Sequence, residues 1–116
     1  MLYNTFSKDD VIRQHKDSRY PFCCDFYIRS KDMFIECNFS WTHGGHWFDE
    51  NDDNDLKILS KWKSKCSKYY DNAIETWTVR DVKKRCAAER SKLNYVVFWS
   101  FEEMKEFYEK QSSSLK

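Results

Sequence analysis

Asp25 and Glu36 stand eleven residues apart, in two stretches otherwise rich in Phe, Ile, Tyr and Cys. His43 follows Glu36 by seven residues. A carboxylate inside an apolar segment is costly unless it is paired, hydrogen-bonded or bound to a metal. Two such acids on neighbouring strands, pointing the same way, would make a holder for Mg2+ (or Mn2+). Magnesium takes one or two carboxylates and fills its remaining positions with waters and phosphate oxygens. Such an ion neutralises a phosphodiester and activates the water that hydrolyses it. An imidazole close by can act as acid or base near neutral pH, and His43 is placed to return to the same site as the chain leaves the second strand.

The elements that must position these residues can be read from pattern. Tyr20–Ile28 and Met33–Phe39 read as strands joined by the polar connection Arg29-Ser30-Lys31-Asp32, of hairpin length. Alternation along a strand predicts Cys23, Asp25 and Tyr27 on one face of the first, and Phe34, Glu36 and Asn38 on one face of the second. Ser7 followed by Asp10 predicts a helix running to about Lys16 that turns Val11 and Ile12 inward. The segment Trp41-Thr42-His43-Gly44-Gly45-His46-Trp47-Phe48 holds both glycines of the chain, so a special backbone path is expected there. Residues 53–70 read as a helix with Leu56, Leu59, Trp62, Cys66 and Tyr69 on its inner face. Residues 73–78 read as a short strand. A helix over 79–92 would bury Val79, Val82, Cys86 and Leu93, and a buried strand follows at 94–99. An amphipathic helix over 101–111 closes the order. The fold class is α/β with mixed pairing: a central mixed four-stranded sheet flanked by helices.

At 116 residues the chain is expected to form a single domain, 1–116. The net charge of +1 says little, but its distribution says more. Residues 49–55 carry five acids, and residues 56–70 carry five lysines and no acid. Arg80, Lys83, Lys84, Arg85, Arg90 and Lys92 follow. A basic middle suits a polyanionic partner. The five cysteines are odd in number, and no secretory leader or membrane-spanning run is visible, so reduced thiols in an intracellular, cytoplasmic protein are expected. Cys24, Cys37, Cys66 and Cys86 are read as small core hydrophobes.

Asp25-Phe26 followed by Glu36-Cys37-Asn38 resembles the Asp…Glu-x-Lys core of PD-(D/E)XK nucleases. The resemblance is closest to the very-short-patch-repair (Vsr-like) branch, where a strand carrying the aspartate is followed by one ending in a Trp and His cluster. Trp41 and His43 stand in that cluster. Asp81-x-x-Lys84-Arg85-x-Ala87 and then Leu93–Trp99 are similar to the branch's basic terminal helix and apolar strand. The resemblance spans roughly residues 20–100. It implies a restriction-endonuclease-like core and a Mg2+-dependent endonuclease acting on DNA, with Asp25, Glu36 and the Cys37 carbonyl at the metal. Lys83, Lys84 and Arg85 would hold backbone phosphates. Small chains of this kind often pair to cut both strands, so a homodimer is among the implied assemblies. A phage or mobile-element setting is implied as well. Asn38 replaces the family's lysine: it carries no charge but can position water. Cys24 stands where the family has proline. Asp9 or Asp10 would supply the family's helical acid, and Lys84 could supply the missing positive charge.

Other readings stay open on the residues alone. Asp25 could pair with Arg19 or Arg29 at a strand end. Trp41 and Trp47 could stack bases or pack the loop. A zinc site from Cys23, Cys24, Cys37, His43 and His46 lacks paired C-x-x-C spacing. A catalytically inactive module on the same fold, binding nucleic acid or protein as an inhibitor or accessory subunit, is the main competitor to the enzyme.

Overall fold

A computed structural model of the chain describes residues 8–114, with side-chain environments for 9–111. Ser7, the expected helix cap, lies outside the described residues. The chain divides into two compact units. One holds residues up to Phe39 together with those from Ala87 onward, and the other is Ser40–Cys86.

The first unit carries the sheet. Strands β1 (Val11–Asp17), β2 (Tyr20–Ile28), β3 (Met33–Cys37) and β4 (Asn94–Phe98) lie side by side in that order. The β1–β2 and β2–β3 pairs are antiparallel, and β3–β4 is parallel. The expected mixed four-stranded sheet is therefore present, but its first strand is not the one read from pattern. Residues 11–17 form β1 where a helix was expected, after a single 3-10 turn at Lys8–Asp10. Val11 and Ile12 are β-branched and pair across from Ile28 and Tyr27, so tertiary pairing outweighs the local helix start. Gln14 takes a positive φ of 52°, and the β1–β2 register shifts between His15 and Asp17, the signature of a bulge.

Each sheet face has its own core. On one, Ile28, Met33, Ile35 and Phe98 meet Tyr108, Phe107 and Met104 of helix α4 (Phe101–Ser114). On the other, Tyr20, Cys24 and Phe34 meet Tyr95, Leu93 and Ala87, the last near the end of helix α3 (Asp81–Arg90). Cys24 and Tyr27 share this second core, so the regular alternation predicted for β2 breaks between them. At the β1–β2 hairpin, Arg19 reaches Asp17 at 2.8 Å and Asp32 at 2.9 Å, which occupies one of the arginines offered above as a partner for Asp25.

The second unit is helical. Asp52 caps helix α1 (Asp53–Ser64) by accepting from Asn54 and Asp55 N–H, and Ser67 caps α2 (Lys68–Glu75). The expected single helix over 53–70 is split by a turn in which Cys66 has φ 50°. The expected strand over 73–78 is absent. Its residues belong to α2 and to a π-helical turn, Thr76–Arg80, that leads into α3. Thr76 and Thr78 donate their hydroxyls to the carbonyls of Asn72 and Ile74, four residues back, which bends the helix instead of ending it. The expected inner faces are corrected too. Leu56, Tyr69 and Val79 are exposed, as are Cys66 and Cys86, while Trp77, Ala73, Asp55 and Asp81 are buried. All five cysteines are free thiols.

Candidate functional site

The β2–β3 ladder pairs Ile28 with Met33, Tyr27 with Phe34 and Phe26 with Ile35, and then side chains take over. Asp25 N–H donates to Glu36 Oε1 at 2.8 Å, and Cys37 N–H donates to Asp25 Oδ2 at 2.8 Å. Each carboxylate thus caps the backbone of the other's strand. The Cys24 thiol donates to the Ile35 carbonyl at 3.3 Å in the same stretch. This exchange satisfies backbone groups that would otherwise be buried without partners. It leaves Asp25 and Glu36 on adjacent strands, each carboxylate bonded to the backbone of the other strand.

Glu36 is only 1% exposed. Its second oxygen, Oε2, accepts from the Tyr20 hydroxyl at 2.9 Å, and that hydroxyl lies 3.0 Å from the Tyr95 hydroxyl. Burial first, then Tyr95 and Glu36, hold the Tyr20 phenol protonated far above the usual phenol range, so Tyr20 is a donor at any ordinary pH. Asn38 is buried as well, and its backbone N–H continues the β3–β4 ladder to the Phe98 carbonyl at 2.8 Å. Burial, followed by the charges of Asp25 and Glu36, pushes the Cys37 thiol up to about 12. The Cys24 thiol is also raised to about 12, by burial and then Glu36. The two carboxylates are hard oxygen donors of the kind that magnesium and manganese take. Among the described residues no group of three or more His, Cys, Asp and Glu gathers as a cage.

The helical unit holds a different pair of acids. His43 ends a 3-10 turn, Trp41–His43, that Ser40 caps. Its Nδ1 lies 2.7 Å from Asp81 Oδ2, with the imidazole 20% and the Asp81 side chain 1% exposed. His46 Nε2 lies 2.7 Å from Asp55 Oδ1, and Asp55 Oδ2 accepts from Asp49 N–H at 2.9 Å. Between the two histidines the backbone wraps the Trp77 indole. Gly44 has φ +72°, and a Cβ there would sit 2.2 Å from the Trp77 ring. Trp77 is fully buried and donates its indole N–H to the His46 carbonyl at 2.9 Å. The glycines therefore allow both the left-handed turn and the close approach. With an aspartate on Nδ1, the His43 Nε2 is the nitrogen left for proton exchange.

The structure thus joins Asp25, Glu36, Cys37 and Asn38 in the sheet unit and places His43 in the helical unit. Lys83 and Arg85 are exposed on α3, and the Arg85 guanidinium lies 5.2 Å from the Trp47 ring centroid. Pattern reading missed the buried acids Asp55 and Asp81 and the linked phenols Tyr20 and Tyr95 beside Glu36. Asp81 was read as part of the basic-helix motif with Lys84 and Arg85, and Tyr20 as the head of a strand, neither with its partner. No family model, no curated protein and no solved structure matches the chain. No described helix is long and apolar enough to cross a membrane.

Proposed function

We propose that this chain is a metal-dependent endonuclease that hydrolyses phosphodiester bonds in DNA. The observation that carries the reading is the reciprocal capping of Asp25 and Glu36, which ties two carboxylates to adjacent strands. A divalent cation shared by two carboxylates would be held by both. Asp25, Glu36 and the Cys37 carbonyl would hold Mg2+ (or Mn2+), which when bound supplies charge neutralisation and a more acidic water. Tyr20 orients Glu36 through its hydroxyl. Asn38 would position water; within the helical unit, Asp81 orients His43 with Nε2 left over for proton exchange. Lys83, Lys84 and Arg85 hold backbone phosphates. A homodimer would serve cleavage of both strands.

Asp25→Ala should abolish nicking of supercoiled plasmid in Mg2+ or Mn2+ while keeping the wild-type circular dichroism spectrum. Full nicking by that variant, or by wild type in excess EDTA, would end the proposal.

A second reading is a catalytically inactive nuclease-fold module that binds nucleic acid or protein. The near-complete burial of Glu36, together with Asn38 in place of lysine, favours it. Undiminished DNA binding with no nicking under any divalent ion would select this reading.

A further inference from the structure

The helical unit carries an aromatic cluster that is not wholly interior. Trp41 is 43% and Tyr69 62% exposed, whereas Trp77 of the same unit is fully buried. Trp41 lies at its centre: its ring centroid is 5.3 Å from Trp62, 5.5 Å from Tyr69 and 5.2 Å from Tyr70. The inner rings brace the outer ones, so exposed π faces are held in place without help from a partner.

The charge around this cluster is mostly positive, with Asp71 the acid next to Tyr70. Residues 56–70 hold five lysines and no acid. Lys61, Lys65 and Lys68 are exposed, and the Lys65 ammonium lies 6.0 Å from the Tyr70 ring centroid. Rings that are braced but open, beside cations without interleaved acids, match the chemistry of a nucleic-acid strand whose bases are unpaired. Every base offers a π face for stacking, and the phosphates follow the cations. A base-paired duplex hides those faces unless bases are unstacked.

We propose that the Trp41–Tyr69 face of the helical unit binds unpaired nucleotides of a DNA strand, with bases on the rings and phosphates at Lys61, Lys65 and Lys68. The choice of DNA rests on the endonuclease reading above; the stacking face rests on the rings and lysines alone.

The test is fluorescence anisotropy with a labelled oligothymidylate and, separately, a duplex of equal length. Excess EDTA is present so that cleavage cannot intervene. Wild type should bind the single strand more tightly than the duplex. Tyr69→Ala, a change at a largely exposed ring, should weaken single-strand binding by roughly tenfold, the loss of one stacked base. Trp41→Ala should do so at least as strongly. Lys61→Gln combined with Lys65→Gln should flatten the salt dependence of log K by about 1.4 units of slope, since each lost single-strand phosphate contact removes about 0.7. Unchanged affinity in the folded Tyr69→Ala variant would overturn the proposal. So would tighter binding of the duplex, or a Tyr69→Ala effect confined to self-association of the chain. Wild type that nicks no DNA with any divalent ion, yet binds the single strand in a Tyr69-dependent way, would leave this face standing and remove the endonuclease.

Discussion

In the sheet unit the buried acid, Glu36, meets a backbone N–H on one oxygen and a phenol on the other. In the helical unit Asp81 is equally buried but meets an imidazole through Oδ2, and its Oδ1 is buried without a hydrogen-bond partner among the described residues. The two solutions differ in what they leave over. The strand acid has both oxygens engaged by groups that cannot change charge at neutral pH. The helix acid is paired with an imidazole, through one oxygen. A carboxylate held by a peptide N–H and a phenol is fixed in orientation through both oxygens. A carboxylate held by histidine aligns a proton carrier. The contrast is also one of range. Asp25 and Glu36 are brought together by one short hairpin, whereas His43 and Asp81 are separated by 38 residues.

The comparison can be broken hardest at Gly44. Gly44→Ala should destabilise the protein by about 3 kcal/mol or more, adding a left-handed backbone cost of about 1–2 kcal/mol to overpacking of about 1–3 kcal/mol. Urea unfolding followed by tryptophan fluorescence would measure it. A wild-type midpoint would mean that the loop does not close on Trp77, and His43 would lose its defined position.

The difference in anchoring is sharpened by a pair of variants. Asp81→Ala strips His43 of its only described partner and should cost about 2–3 kcal/mol. Tyr20→Phe leaves Glu36 with the Asp25 N–H and should cost only about 1–2 kcal/mol. The reverse order in denaturant melts would contradict the account of two anchors against one.

Smaller in effect are the thiols. Cys24 and Cys37, both pushed up to about 12, should resist iodoacetamide at pH 8.5, while the exposed Cys23, Cys66 and Cys86 react; mass spectrometry of the alkylated protein reads this directly. Because the folded protein holds these protons more tightly than the unfolded chain, their contribution is intact below about pH 9. It declines as the pH rises through 9 towards 12. A midpoint that rises with pH over that window would show the sign to be wrong.

The smallest effect is at the hairpin. Arg19 lowers Asp32 from 3.8 to about 2, so this contribution is present above pH 3.8 and lost as the pH falls towards 2. The Asp32 side chain is 56% exposed, so solvent screens the pair, and Arg19→Ala should cost no more than about 1 kcal/mol in thermal melts.

The strands β2 and β3 and the hairpin between them were legible in the sequence. Period-two alternation and a four-residue polar link are local signals, and the pairing follows from them. The same holds for β4 and α4. β1 was not legible as a strand, because Ser7 and Asp10 carry a helix-start pattern and only the edge of β2 makes extended backbone preferable. Residues 73–78 failed for the opposite reason: β-branched and aromatic side chains read locally as a strand, while the burial of Trp77 beneath the glycine loop favours a helical turn. The outer rings Trp41 and Tyr69 gave the same apolar signal as core residues.

What the sequence alone settled is thus the set of contacts made over short separations: the two strands of the hairpin and the glycine-marked loop. The tertiary structure decided which buried acids find which partners, Tyr20 for Glu36, His43 for Asp81 and His46 for Asp55. A charge taken out of water must be answered by some group, but the chain does not record how far away along it that group will be.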